Sequence, residues 1–163
     1  MNINSLHDLP DWDDEHFKKF DDNDGEEWKP NSTRDACKAM YIQWQQIVTM
    51  LNGAFDSANI TENKEMHEEY QSFIIADAFE VAVKIKSSEA GSLYILKMEN
   101  AAIIRKNAQS IASSMLHFTM LDTIEEKYIT AIRSEIDSFR ELYKHWISTF
   151  VKDEYEDEWG LFV

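Results

Sequence analysis

The sequence predicts an all-α protein: an antiparallel up-down-up-down four-helix bundle with an acidic N-terminal arm and an acidic C-terminal tail. Three observations predict it. Only 4 Gly and 2 Pro occur in 163 residues, and Pro10 and Pro30 both precede residue 31. A β-rich fold needs many tight turns, and the residues that make them are scarce here. Four long segments repeat their apolar residues at three- and four-residue spacing, the period of a helix with one buried face. The links between these segments are short, which favours antiparallel neighbours crossing at roughly 20°. A hydrophobic fraction of 44% is that of a globular chain with one continuous core. The expected division is an arm over 1–31, the bundle over 32–153 and the tail over 154–163.

The first bundle helix is expected over 33–56. Ser32 and Asp35 read as a capping box after Pro30, and Cys37, Tyr41, Trp44, Val48, Leu51 and Phe55 form its inward stripe. The second, over 62–87, takes Thr61 as cap, with Glu62 and Glu65 near the positive end of the helix dipole. Its stripe is His67, Gln71, Ile74, Ala78, Val81 and Ile85, and Ser87 to Gly91 form a turn. The third, over 92–121, aligns Tyr94, Lys97, Ala101, Ile104, Ala108, Ile111, Met115 and Phe118. A second capping box, Asp122 with Glu125, opens the fourth over 123–152. That helix has the most regular stripe: Ile129, Ile132, Ile136, Phe139, Tyr143, Trp146 and Phe150. Within the arm a short helix is expected near 11–20, capped by Asp11.

The net charge of −15 is unevenly spread: residues 1–35 hold 11 acids against 4 bases, and residues 152–163 hold 5 acids against Lys152 alone. Such a field repels nucleic acid phosphates and anionic membranes and attracts basic protein surfaces. Neither nucleic acid nor membrane is an expected partner. No apolar run approaches the ~20 residues that cross a bilayer. The start lacks the pattern of a secretory signal, and Cys37 alone cannot form an intrachain disulfide. The cytoplasm is the expected compartment.

Phosphate-binding loops, the nucleophile elbow, paired cysteines and Glu-x-x-His are absent. No cofactor is expected, and the protein is not expected to be an enzyme. The weak metal candidate is His67 with Asp122 and Glu125, a histidine and two carboxylates at one bundle end. That set could hold a divalent cation or accept a proton; the competing reading has the acids capping a helix and His67 closing the bundle. It underlies the alternative function, a small-molecule- or metal-binding bundle with a site near His67. The loop Asp22-Asn23-Asp24-Gly25 shares acids and a glycine with calcium-binding loops, but Phe20 and Asn31 occupy the first and twelfth positions, where carboxylates are needed.

The leading expectation comes from rings inside the acidic segments: Trp12, Phe17, Phe20 and Trp28 in the arm, and Tyr155, Trp159 and Phe162 in the tail. An up-down-up-down bundle brings both segments to the same end, making one negative, aromatic pole. Rings supply affinity and acids supply steering. The expected function is a non-catalytic protein–protein interaction module binding or inhibiting a basic partner. Exchange of the same rings with a second copy, as a homodimer, is the competing use.

Overall fold

The computed structural model describes residues 8–19 and 31–162, and among these every regular element is an α-helix. A short α1 (Asp14–Lys18) precedes four long helices, α2 (Ser32–Asp56), α3 (Lys64–Ser87), α4 (Tyr94–Leu121) and α5 (Glu126–Ser148). Each long helix packs against two others in a closed ring, α2 and α4 each touching both α3 and α5. The α2–α5 and α3–α4 seams are the broader pair. No described helix is long and apolar enough to cross a membrane.

The inward stripes follow the predicted spacing. Cys37, Tyr41, Trp44 and Leu51 of α2 are fully enclosed; Ile74, Ala78, Val81 and Ile85 of α3 and Ile104, Ile111, Met115 and Phe118 of α4 are buried with them. Ile129, Ile132, Phe139 and Trp146 of α5 complete one contiguous core. Removing this apolar surface from water is the main driving force, at roughly 25 cal/mol per Å². Trp44 ties two seams. Its ring centroid lies 4.7 Å from that of Phe139 on α5, and its indole N–H donates to the Ala78 carbonyl of α3 at 2.8 Å. Buried Asn107 of α4 donates to Glu80 of α3 at 2.6 Å, and the Tyr143 hydroxyl donates to the Ala101 carbonyl at 2.8 Å.

Hydrogen bonds fix which helix ends meet. The Cys37 thiol, in the first turns of α2, donates to the Ile85 carbonyl at the end of α3 over 3.3 Å. The Thr33 hydroxyl donates to the Thr149 carbonyl, just past α5, at 3.3 Å. Elsewhere the α2–α3 link meets the α4–α5 link, where Asn59 N–H donates to the Thr123 carbonyl at 2.8 Å.

The helix ends depart from expectation, and the departures have local causes. Asn31 caps α2 by accepting the Arg34 N–H at 3.0 Å, so Ser32 opens the helix instead of capping it; the two side chains are comparable acceptors. α3 begins at Lys64, beyond Thr61 and Glu62, after a left-handed Asn63 (φ 51°) that makes no side-chain cap bond. The Asp122–Glu125 capping box does not form. Asp122 is left-handed (φ 52°) and ends α4, while Glu125 precedes α5 without a side-chain cap bond. Burial of Ile124 and the Asn59–Thr123 bond shape this turn instead. α4 starts at Tyr94, and α5 stops at Ser148, short of 152. In the arm the helix spans five residues and is capped by Asp13, which accepts the His16 N–H at 3.0 Å, not by Asp11.

Candidate functional site

Past α5 the chain crosses to the start of α4. Leu93, which precedes that helix, has no capping side chain. Asp153 supplies one: its carboxylate accepts the Tyr94 N–H at 2.7 Å and the Tyr155 N–H at 3.1 Å. An anion at the positive end of a helix is favourable both as acceptor and as charge. Asp157 then accepts the Leu161 N–H at 3.0 Å, and Gly160 takes the left-handed φ of 70° that this turn needs. Two of the five tail acids therefore shape the tail. Glu154, Glu156 and Glu158 stay exposed beside Tyr155 and Trp159. Trp159 is 94% exposed. Phe162 is half-buried and, with Leu161, Tyr94 and Ile95, lines a cavity of about 140 Å³ beneath the tail.

Asp153→Ala removes this cap. The expected cost is about 0.5–2 kcal/mol of stability in urea unfolding, with faster hydrogen exchange at the Tyr94 amide. Unchanged exchange there would show that the tail does not hold α4.

Among the described residues, the arm rings Trp12 and Phe17 pair with rings of the arm and of α2. Residues 8–19 run along α2 in the opposite direction, from Leu9 beside Gln45 to the Phe17 carbonyl, which accepts from Arg34 at 3.3 Å. Trp12 is half-buried, 4.6 Å from the Phe17 ring and 5.6 Å from that of Tyr41; Phe17 is buried. Among the described residues no ring pair links arm to tail, and the described arm rings pack on α2 while Tyr155 and Trp159 of the tail are exposed. The physical reason is area: rings of this size exclude about 150–250 Å² each, and the side of α2 offers a seat. Phe20, Trp28 and the Asp22–Gly25 loop lie outside the described residues. Burial under the strap, with Asp11 nearby, pushes the Tyr41 phenol up to about 12.

Beside the strap, a buried polar cluster joins α2 to the α3–α4 turn. Glu89 is buried, and Arg34 Nε lies 3.4 Å from its carboxylate. Burial raises the Glu89 carboxyl above its ordinary range, opposed by the charges of Lys97 and Arg34. Burial and the Glu89 charge raise the Cys37 thiol well above the usual range, so this thiol is an unreactive core group.

His67 is buried at the start of α3, while Asp122 ends α4 and the Glu125 carboxylate pairs with Lys127 at 2.7 Å. Among the described residues no three His, Cys, Asp or Glu side chains gather closely enough to hold a metal ion. A separate cavity of about 260 Å³ lies between α4 and α5, with Ala108, Ala112 and Phe139 among its walls and Arg105, Arg140 and Lys144 on its lining. Compared with family models, curated proteins and solved structures, the chain gives no match.

Proposed function

We propose that the protein is a non-catalytic interaction module that binds or inhibits a basic partner protein through its acidic, ring-bearing tail. Trp159 carries this reading. A side chain of that size left 94% exposed, among Glu154, Glu156 and Glu158, is a contact surface with no role inside the fold. Its neighbouring acids attract a cationic surface and disfavour anionic ones. Tyr155 and Trp159 are assigned to partner contact, and Phe162 to holding the tail against α4.

The scaffold behind the tail is read as an up-down-up-down bundle of α2 to α5. Supporting this are the Cys37–Ile85 and Thr33–Thr149 bonds at one extremity and the Asn59–Thr123 bond between the two opposite links.

The test is affinity capture on the immobilised full chain, with the retained proteins identified by mass spectrometry. A basic partner should be held at low ionic strength and released near 1 M salt, where screening shortens the reach of charge to about 3 Å. Tyr155→Ala/Trp159→Ala should retain about tenfold less, as expected when central rings are truncated. Empty captures at every ionic strength, or undiminished capture by the double variant, would refute the reading.

A further inference from the structure

The strap over residues 8–19 is held the way a peptide ligand is held. Three side chains from two helices converge on three consecutive main-chain carbonyls. Gln45 reaches those of Leu9 and Pro10 at 3.5 and 3.4 Å, Tyr41 donates to Pro10 at 2.5 Å, and Lys86 of α3 donates to Asp11 at 2.7 Å. Contacts to carbonyls fix an extended backbone whatever its sequence. Specific contacts follow along the strap. Trp12 packs on Tyr41, whose ring also lies 4.7 Å below the Lys86 ammonium, and Asp14 pairs with Lys38 at 2.5 Å.

The seat is cationic in a chain whose net charge is −15. Lys38 and Lys86 contact the strap, which answers with Asp11, Asp13 and Asp14, while Arg34, paired with Glu89, holds the Phe17 carbonyl. Beside Asp8 an open concavity of about 830 Å³ lies between α2 and α3; Asp56 and Glu68 stand on its walls with Asn52, Phe55, Ile75 and Phe79, so the cationic seat is confined to the stretch under residues 9–17.

We infer that the α2–α3 groove is a receptor site for an acidic peptide of a partner protein, extended up to an aromatic ring and turning into a helix at a carboxylate two residues on, and that residues 8–19 are its built-in competitor. A short tether presents such a competitor at roughly millimolar effective concentration. A free peptide therefore meets a groove that is open only a small fraction of the time, and its apparent affinity falls by that fraction. This site selects a partner opposite in charge to the one the tail selects, and it does not depend on the tail.

The probe is a fluorescent synthetic peptide with the sequence of residues 8–19, titrated into the full-length chain and followed by polarisation. Trp12→Ala/Phe17→Ala weakens the resident strap, so it should bind the probe at least about tenfold more tightly than the natural chain. Adding Lys38→Ala and Lys86→Ala should abolish that binding, and a probe with its aspartates replaced by asparagine should bind at least about tenfold more weakly. If the double variant loses its helical circular dichroism, Trp12→Ala alone serves, because that ring is only half-buried. No uptake by the folded, unmasked chain, or uptake indifferent to the two lysines, would overturn the inference. So would light scattering that shows the natural chain as a dimer and Trp12→Ala/Phe17→Ala as a monomer, which would assign the groove to a second copy.

Discussion

Trp44→Ala is expected to lower the unfolding free energy by about 3–5 kcal/mol, the range for emptying an enclosed aromatic site whose surroundings relax only in part. The ring is fully enclosed, and it touches both neighbours of α2: Phe139 on α5 by ring contact and Ala78 on α3 by its N–H. Domains have only about 5–15 kcal/mol in total. For a chain of this size each kcal/mol shifts the melting temperature by about 2–4 °C, so a fall of about 6–20 °C should be visible by circular dichroism. Trp44→Phe keeps most of the volume and loses the bond to Ala78, a loss of about 1 kcal/mol. The order wild type, Phe, Ala is the diagnostic result. An alanine variant within about 1 kcal/mol of wild type would mean that Trp44 is not enclosed and that the ring of four helices is wrong.

Arg34→Met should be comparably damaging for a different reason. It leaves the Glu89 carboxylate buried opposite no guanidinium, and stranding one member of a buried pair costs about 3–5 kcal/mol. Replacing both, as Arg34→Met/Glu89→Leu, should recover most of that loss, because an apolar pair of similar volume needs no desolvation. Non-recovery would show that Arg34 acts through contacts besides Glu89, the Phe17 carbonyl among them.

The same site sets a pH dependence. Burial is the largest influence on Glu89 and raises its folded-state value above the ordinary one. Between the ordinary and the raised value the folded chain binds more protons than the unfolded chain, so stability falls as pH rises through that window. It is regained as pH falls to the ordinary glutamate range. Glu89→Gln abolishes this proton uptake. The stability of wild type relative to Glu89→Gln, measured by urea unfolding, should therefore improve as pH is lowered through the window. Asp14 acts with the opposite sign: the Lys38 hydrogen bond lowers its carboxyl, so its stabilisation is present above the ordinary aspartate range and lost as pH falls through the lowered folded value. Present in both proteins, it cancels in the comparison. A difference that is flat, or in which wild type loses ground to Glu89→Gln on acidification, would contradict the burial of Glu89.

The buried stripes were legible because helical period and burial are read from the same spacing. Trp44, Ala78, Ile111 and Phe139 fall on them without adjustment. The same arithmetic could have found more. Asn107 lies on the α4 stripe, three residues after Ile104 and four before Ile111, and Arg34 stands three before Cys37; both are polar, and burial of a polar side chain depends on a partner from another helix or turn. The caps were less legible. Neighbouring side chains compete on nearly equal terms at Asn31 and Ser32, and at Asp122–Glu125 a contact between two distant links outweighs the local box.

The sequence by itself determined the all-helical class, the number of long helices, the residues of each core face and the acidic character of both extremities. These are properties of composition and of short-range period, and they hold whatever the chain packs against. Only the tertiary structure decided which aromatic residues of the acidic segments face water. Trp12 and Phe17 are held along α2 while Trp159 stands clear, although all three occur among acids in the sequence. A ring's environment depends on what lies across from it. Here that is a groove assembled from Tyr41 and Gln45 of one helix and Lys86 of another, residues 41 to 86 being neighbours only once α2 and α3 have folded together.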